Sequence, residues 1–67
     1  MALVTQSELE AVAERIAAEC RGEQKKTRRQ KVLAAWRSKL QKDPVSLEAF
    51  QIDQIMREVQ DRLAGSN

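Results

Sequence analysis

The residues best suited to chemistry in this sequence are basic, and most of them lie in one segment. Residues 25–42 hold eight of the twelve Lys and Arg side chains of the chain. Cations at this density bind the phosphates of nucleic acids, and an Arg can also reach the edge of a guanine. The predicted nucleic-acid-binding residues are Lys25, Lys26, Arg28, Arg29, Lys31, Arg37, Lys39 and Lys42.

The net charge of +2 conceals a strong segregation of charge along the chain. Residues 1–20 hold four Glu and one Arg, a net of −3, and residues 43–67 hold five acids and two Arg, again −3. Residues 21–42 hold nine cations against one Glu, a net of +8. This pattern leaves a second interpretation open, in which the basic segment neutralises acidic helices within a bundle or across a dimer. A solvated face without function is a third.

A helix over the basic segment would place three of its cations on a stripe that faces away from Trp36. Small residues within that stripe would let the helix approach a groove closely. The cluster Thr27-Arg28-Arg29 with Trp36 downstream resembles the arginine-rich RNA-binding helices of phage antiterminators over a short stretch, and assigns the chain to no family. The stripe consists of Arg28, Lys31, Ala35, Ser38 and Lys42.

The inventory of side chains argues against catalysis. The chain has no His and a single cysteine, Cys20, which excludes Ser–His and Cys–His pairs and a structural zinc site. Its two glycines, Gly22 and Gly65, provide no phosphate-binding loop. We therefore expect no enzyme activity, metal, cofactor or small-molecule substrate, and we expect Cys20 to be a small buried hydrophobe.

Composition predicts a soluble helical protein. Apolar residues make up 42% and charged residues 33%, and helix-forming types dominate. No apolar run approaches the roughly 20 residues of a membrane span. Residues 1–4 are too short for a signal peptide. With the unpaired Cys20, these features predict a cytoplasmic protein without a membrane anchor.

Hydrophobic periodicity predicts an all-α fold, a small three-helix bundle in a single domain of residues 1–67. The helices are expected at about 5–21, 27–42 and 46–64. The first has Thr5 and Glu8 as a capping box, with Val4 and Leu9 as a hydrophobic staple. Gly22 is predicted to end it in the left-handed conformation.

The second predicted helix has one predicted end and two alternative starts. Its apolar stripe is Val32, Leu33, Trp36 and Leu40, and Pro44 should stop it. Either it begins near Thr27 with a second capping box, or its first turns project beyond the core.

The third predicted helix carries the apolar stripe Ile52, Ile55, Met56, Val59 and Leu63. Ser46 would be its N-cap, with Val45 and Phe50 as a staple, unless a turn precedes a helix from about Gln51. Leu47 and Phe50 lie off the stripe. They are predicted either to pack under the core or to form an exposed partner-binding pair.

These features predict a small non-enzymatic regulatory protein that binds DNA or RNA through residues 25–42. The alternative is a protein–protein interaction module, an adaptor or inhibitor, that uses Leu47, Phe50 and the basic stripe against an acidic protein surface. A homodimer is expected in either case, because 67 residues without a disulfide or metal bury little apolar surface alone.

Overall fold

The computed structural model describes residues 5–65, which fold into three α-helices without a strand in that range. The helices are α1 (Gln6–Arg21), α2 (Lys26–Gln41) and α3 (Ala49–Ala64). The predicted all-α three-helix bundle is confirmed. Within the described range, no helix has the length and apolar character needed to cross a membrane.

The start of α1 agrees with half of its predicted capping box, because Thr5 caps the helix while the Glu8 carboxylate bonds the Thr5 hydroxyl instead of its backbone N–H. Thr5 is extended (φ −72°, ψ 161°), and its hydroxyl oxygen accepts a hydrogen bond from the backbone N–H of Glu8 at 3.2 Å. The Thr5 hydroxyl in turn donates to the Glu8 carboxylate at 3.0 Å. The proposed staple partner Val4 lies outside the described residues.

The end of α1 differs from the prediction. Gly22 is right-handed (φ −72°, ψ −14°), so the expected left-handed cap is wrong. The Gly22 N–H reaches the carbonyls of Ala18 and Glu19 at 3.3 and 3.2 Å, and the Glu23 N–H reaches Cys20 at 3.0 Å. Because this tightened last turn satisfies the terminal carbonyls, the chain needs no left-handed residue.

The start of α2 also corrects the prediction. The helix begins at Lys26 with Lys25 as its N-cap, and no side chain caps it, so the proposed capping box at Thr27 is wrong. The Lys25 carbonyl accepts from the N–H groups of Arg28 and Arg29, both at 3.1 Å. The first turn therefore starts before Thr27, which lies inside it and is not the N-cap.

The connection from α2 to α3 sets the start of the third helix. The Leu47 N–H donates to the Leu40 carbonyl at 2.9 Å, which ties the connection to the end of α2. Ser46 has a φ of 47°, whereas an N-cap residue is extended, so its predicted capping role is wrong. Glu48 is the N-cap, in a reciprocal capping box with Gln51.

This shift of register also replaces the predicted staple. With Glu48 as the N-cap, Leu47 and Ile52 hold the two staple positions, and both belong to the core. The predicted pair of Val45 and Phe50 is wrong, because both side chains are exposed.

The core lies mainly between α1 and α3. Small residues of α1, Ala13, Ala17 and Cys20, are fully buried and allow the branched side chains of α3 to approach closely. The buried residues of the core are Leu9, Ala13, Ile16, Ala17, Cys20, Leu40, Leu47, Ile52, Ile55, Met56 and Val59.

Helix α2 is the least embedded of the three helices. Leu40 is its buried residue, and the rest of its predicted stripe, Val32, Leu33 and Trp36, packs half-buried against the core. Most of the surface of α2 therefore remains open to solvent.

Candidate nucleic-acid interface

The predicted stripe of α2 forms a continuous exposed surface, which we call the basic face. Each of its members is exposed, as the helical spacing predicted. Two of them are small, so the backbone of α2 is accessible between the cations. The basic face consists of Arg28, Lys31, Ala35, Ser38 and Lys42.

Most of the cations of this segment have no internal partner. Five of the eight predicted binding residues are exposed and form no ion pair with any residue in the range 5–65. Their charges are therefore available to a partner. These five are Lys25, Lys26, Arg28, Lys31 and Lys42.

Two acidic residues of the other helices, Glu14 and Glu58, pair with arginines of those same helices. Glu14 of α1 contacts Arg21 at 3.2 Å and Arg62 at 3.5 Å. Glu58 of α3 contacts Arg62 at 3.8 Å. These two acids are therefore not directed at α2, whereas Glu19 and Asp53 contact it.

The remaining three predicted binding residues have structural contacts. Arg29 is half-buried and donates from Nε to the Glu23 carbonyl at 2.8 Å. Arg37 pairs with Asp53 of α3 at 3.2 Å. Lys39 lies with Nζ 4.7 Å from the ring centroid of Trp36. Internal neutralisation of acidic helices therefore accounts for Arg37, but not for the five unpaired cations.

Trp36 has a more polar environment than its sequence position predicted. Its indole Nε1 donates to the Glu19 carboxylate of α1 at 2.8 Å, and the Lys39 cation lies over its ring. Glu19 is separated from Trp36 by seventeen positions, so local spacing gave no signal for this contact.

The first turn of α2 is electrostatically unfavourable. The N-terminus of a helix carries a partial positive charge, which disfavours cations there. Lys25, Lys26, Arg28 and Arg29 nevertheless crowd this end, and the first turn has no acid and no side-chain cap. An anion bound at this end would relieve the repulsion.

A groove of about 360 Å³ opens between the start of α2 and the end of α3. We call it the α2–α3 groove. Its lining combines Ala64 with two leucines, two amides and two cations, and no carboxylate of the described residues contributes to it. The leucines are Leu33 and Leu63, the amides Gln30 and Gln60, and the cations Lys26 and Arg29.

The structure separates the predicted apolar pair. Leu47 is buried, with 9% of its surface exposed, so it is not available to a partner. Phe50 is 59% exposed, and Val45 in the preceding connection is 44% exposed. The prediction that both members of the pair pack under the core therefore holds for Leu47 and is wrong for Phe50.

Cys20 is buried in the core, as its position on the α1 stripe predicted. Burial raises the pKa of its thiol, with a smaller lowering by Arg29 and a smaller raising by Glu19. Among residues 5–65, no cluster of three or more His, Cys, Asp and Glu side chains is placed to hold a metal ion.

Comparisons with models of known protein families, with curated protein sequences and with solved structures found no match to this chain.

Proposed function

We propose that this chain is a small non-enzymatic, cytoplasmic regulatory protein that binds nucleic acid through α2. The observation that carries the proposal is the set of five exposed, unpaired cations in and beside α2, while Glu14 and Glu58 pair with arginines of α1 and α3. A merely solvated surface would not need this separation. Phosphates are the partner that would neutralise such a surface.

The shape of α2 supports the same proposal. Ala35 and Ser38 lie between the cations of the basic face and let a phosphate backbone approach the helix closely. Cations at the first turn cost stability, because they oppose the helix dipole. Bound phosphates offset that cost.

Binding should weaken steeply with salt, because each phosphate contact releases counterions. Five contacts at roughly −0.9 each would give duplex DNA a slope of log K against log salt of at most about −4.5. Replacing Arg28→Ala together with Lys31→Ala should reduce the slope by about 2 and weaken binding at every salt concentration. Mobility shifts with mixed-sequence duplex DNA and single-stranded RNA measure both effects.

The matched control removes two cations from the other helices. Arg15 and Arg57 are exposed on α1 and α3, so Arg15→Ala with Arg57→Ala lowers the net charge equally. This variant should bind nearly as well as the native chain. No retention of either nucleic acid at low salt would contradict the proposal, and equal weakening by both variants would reduce it to a net-charge effect.

A second candidate function rests on Phe50. An aromatic side chain that is 59% exposed at the start of α3 is a typical anchor for a protein contact. This observation favours an interaction module, an adaptor, inhibitor or homodimer, in which the basic face would meet an acidic protein surface.

A further inference from the structure

The α2–α3 groove lies apart from the basic face. Leu33 is on the side of α2 that faces the core, almost opposite the stripe of Arg28 and Lys31 on the helix. A duplex lying along the basic face would therefore leave the groove empty. A ligand of the groove would therefore differ in chemistry from a duplex on the basic face.

The lining of the groove defines that chemistry. Leu33 and Leu63 are half-buried and give it an apolar floor. Gln30 and Gln60 bring an amide from each helix, and each amide can both donate and accept hydrogen bonds. A flat ring with polar edges matches this combination.

The cations at the groove indicate that its ligand carries a negative group beside the flat ring. Lys26 and Arg29 line it, and no carboxylate of the described residues opposes them. The bond from Arg29 Nε to the Glu23 carbonyl holds the guanidinium in place. No hydrogen bond within residues 5–65 uses its two terminal nitrogens, which leaves them for a phosphate.

We propose that the α2–α3 groove binds one unpaired nucleotide of a single-stranded nucleic acid. The base lies on the leucines with its polar edge at the two amides, and the adjoining phosphate meets Lys26 and Arg29. A volume of about 360 Å³ is at the small end of ligand sites and is sufficient for one base with its adjoining phosphate. Unpaired bases expose the faces and edges that a duplex hides. This inference rests on the proposed function and adds a preference for single strands.

The test compares the affinities of a twelve-nucleotide single strand, as RNA and as DNA, with that of the duplex of the same sequence. Filter binding at fixed salt should show about tenfold tighter binding of a single strand. Gln30→Ala with Gln60→Ala should remove this preference and leave duplex affinity unchanged, because no charge is altered. Gln41→Ala with Gln54→Ala, exposed glutamines of α2 and α3 outside the groove, should keep the preference.

The outcomes separate this inference from the proposed function. Equal binding of single strand and duplex, unaffected by the Gln30 and Gln60 changes, overturns the groove site and leaves the basic face standing. Absence of binding to every nucleic acid overturns both. A free nucleotide offers the groove the same base and phosphate as a strand does, so the affinities of adenosine and uridine monophosphates are measured as well. A free nucleotide that binds as tightly as the strand would overturn the proposal that the ligand is a strand. Polyglutamate at equal charge competes for the cations but carries no base. If it displaces the strand fully, the strand is attracted by charge alone and the groove site is overturned.

Discussion

Trp36 and Ile55 differ in how much of each side chain lies inside the core. Ile55 is fully buried, whereas Trp36 is half-buried between Glu19 and Lys39. We expect Ile55→Ala to lower the free energy of unfolding by about 3–5 kcal/mol, and Trp36→Ala to lower it by roughly 2 kcal/mol, since truncation costs scale with burial. Urea unfolding measures both values.

The smaller residue should therefore matter more for stability than the larger one. A Trp36→Ala variant that loses more stability than Ile55→Ala would contradict this ranking. It would show that the indole contributes to the core as the apolar stripe of the second helix predicted. Trp36→Phe serves as the control, because it keeps most of the apolar area and removes the hydrogen bond to Glu19.

At the level of the elements, α2 combines an unfavourable N-terminal end with the proposed nucleic-acid-binding surface. Lys25 is an N-cap without a capping side chain and adds a cation to the positive end of the helix. Lys25→Asp should raise the free energy of unfolding by about 1 kcal/mol relative to Lys25→Ala, because it supplies a cap and a favourable charge. Thermal and urea unfolding test this difference.

The same substitution should weaken nucleic-acid binding, so stability and function are expected to change in opposite directions. Lys25→Ala removes the same cation without adding a cap, and it separates the two effects. Unchanged binding by Lys25→Asp would show that the N-terminal end of α2 does not contact nucleic acid.

Sequence patterns predicted the helices better than their ends. Periodicity placed all three helices, and the Thr5 cap of α1 depends on residues only three apart. The start of α3 was not predictable in this way. It depends on the bond between Leu47 and the Leu40 carbonyl, and on the left-handed Ser46, which move the cap to Glu48.

The site was predictable to the extent that it depends on helical spacing. The exposure of the basic face follows from a repeat of three and four residues. The α2–α3 groove was not predicted, because it joins Gln30 to Gln60 across two helices. Periodicity within one helix carries no information on such a pairing.

For the whole molecule, we expect self-association through the exposed Phe50. Phe50→Ala should shift the chain toward monomer without unfolding it, because 59% of the side chain is already exposed. Added salt should have a small effect, since exposed ion pairs contribute only about 0–1 kcal/mol each. Sedimentation at several concentrations measures the assembly. A single monomer mass at high micromolar concentration would rule out the homodimer and leave Phe50 for another protein.

The position of Trp36 gives the molecule a built-in optical reporter. The chain has one Trp and no Tyr, so nearly all ultraviolet emission comes from this indole. The ring bridges α1 and α2 through Glu19 and lies against Lys39, a cation of the binding segment. Its emission wavelength and quantum yield therefore depend on the α1–α2 contact and on the charge beside the ring. Unfolding and occupancy of α2 can both be followed on the native chain, without a dye.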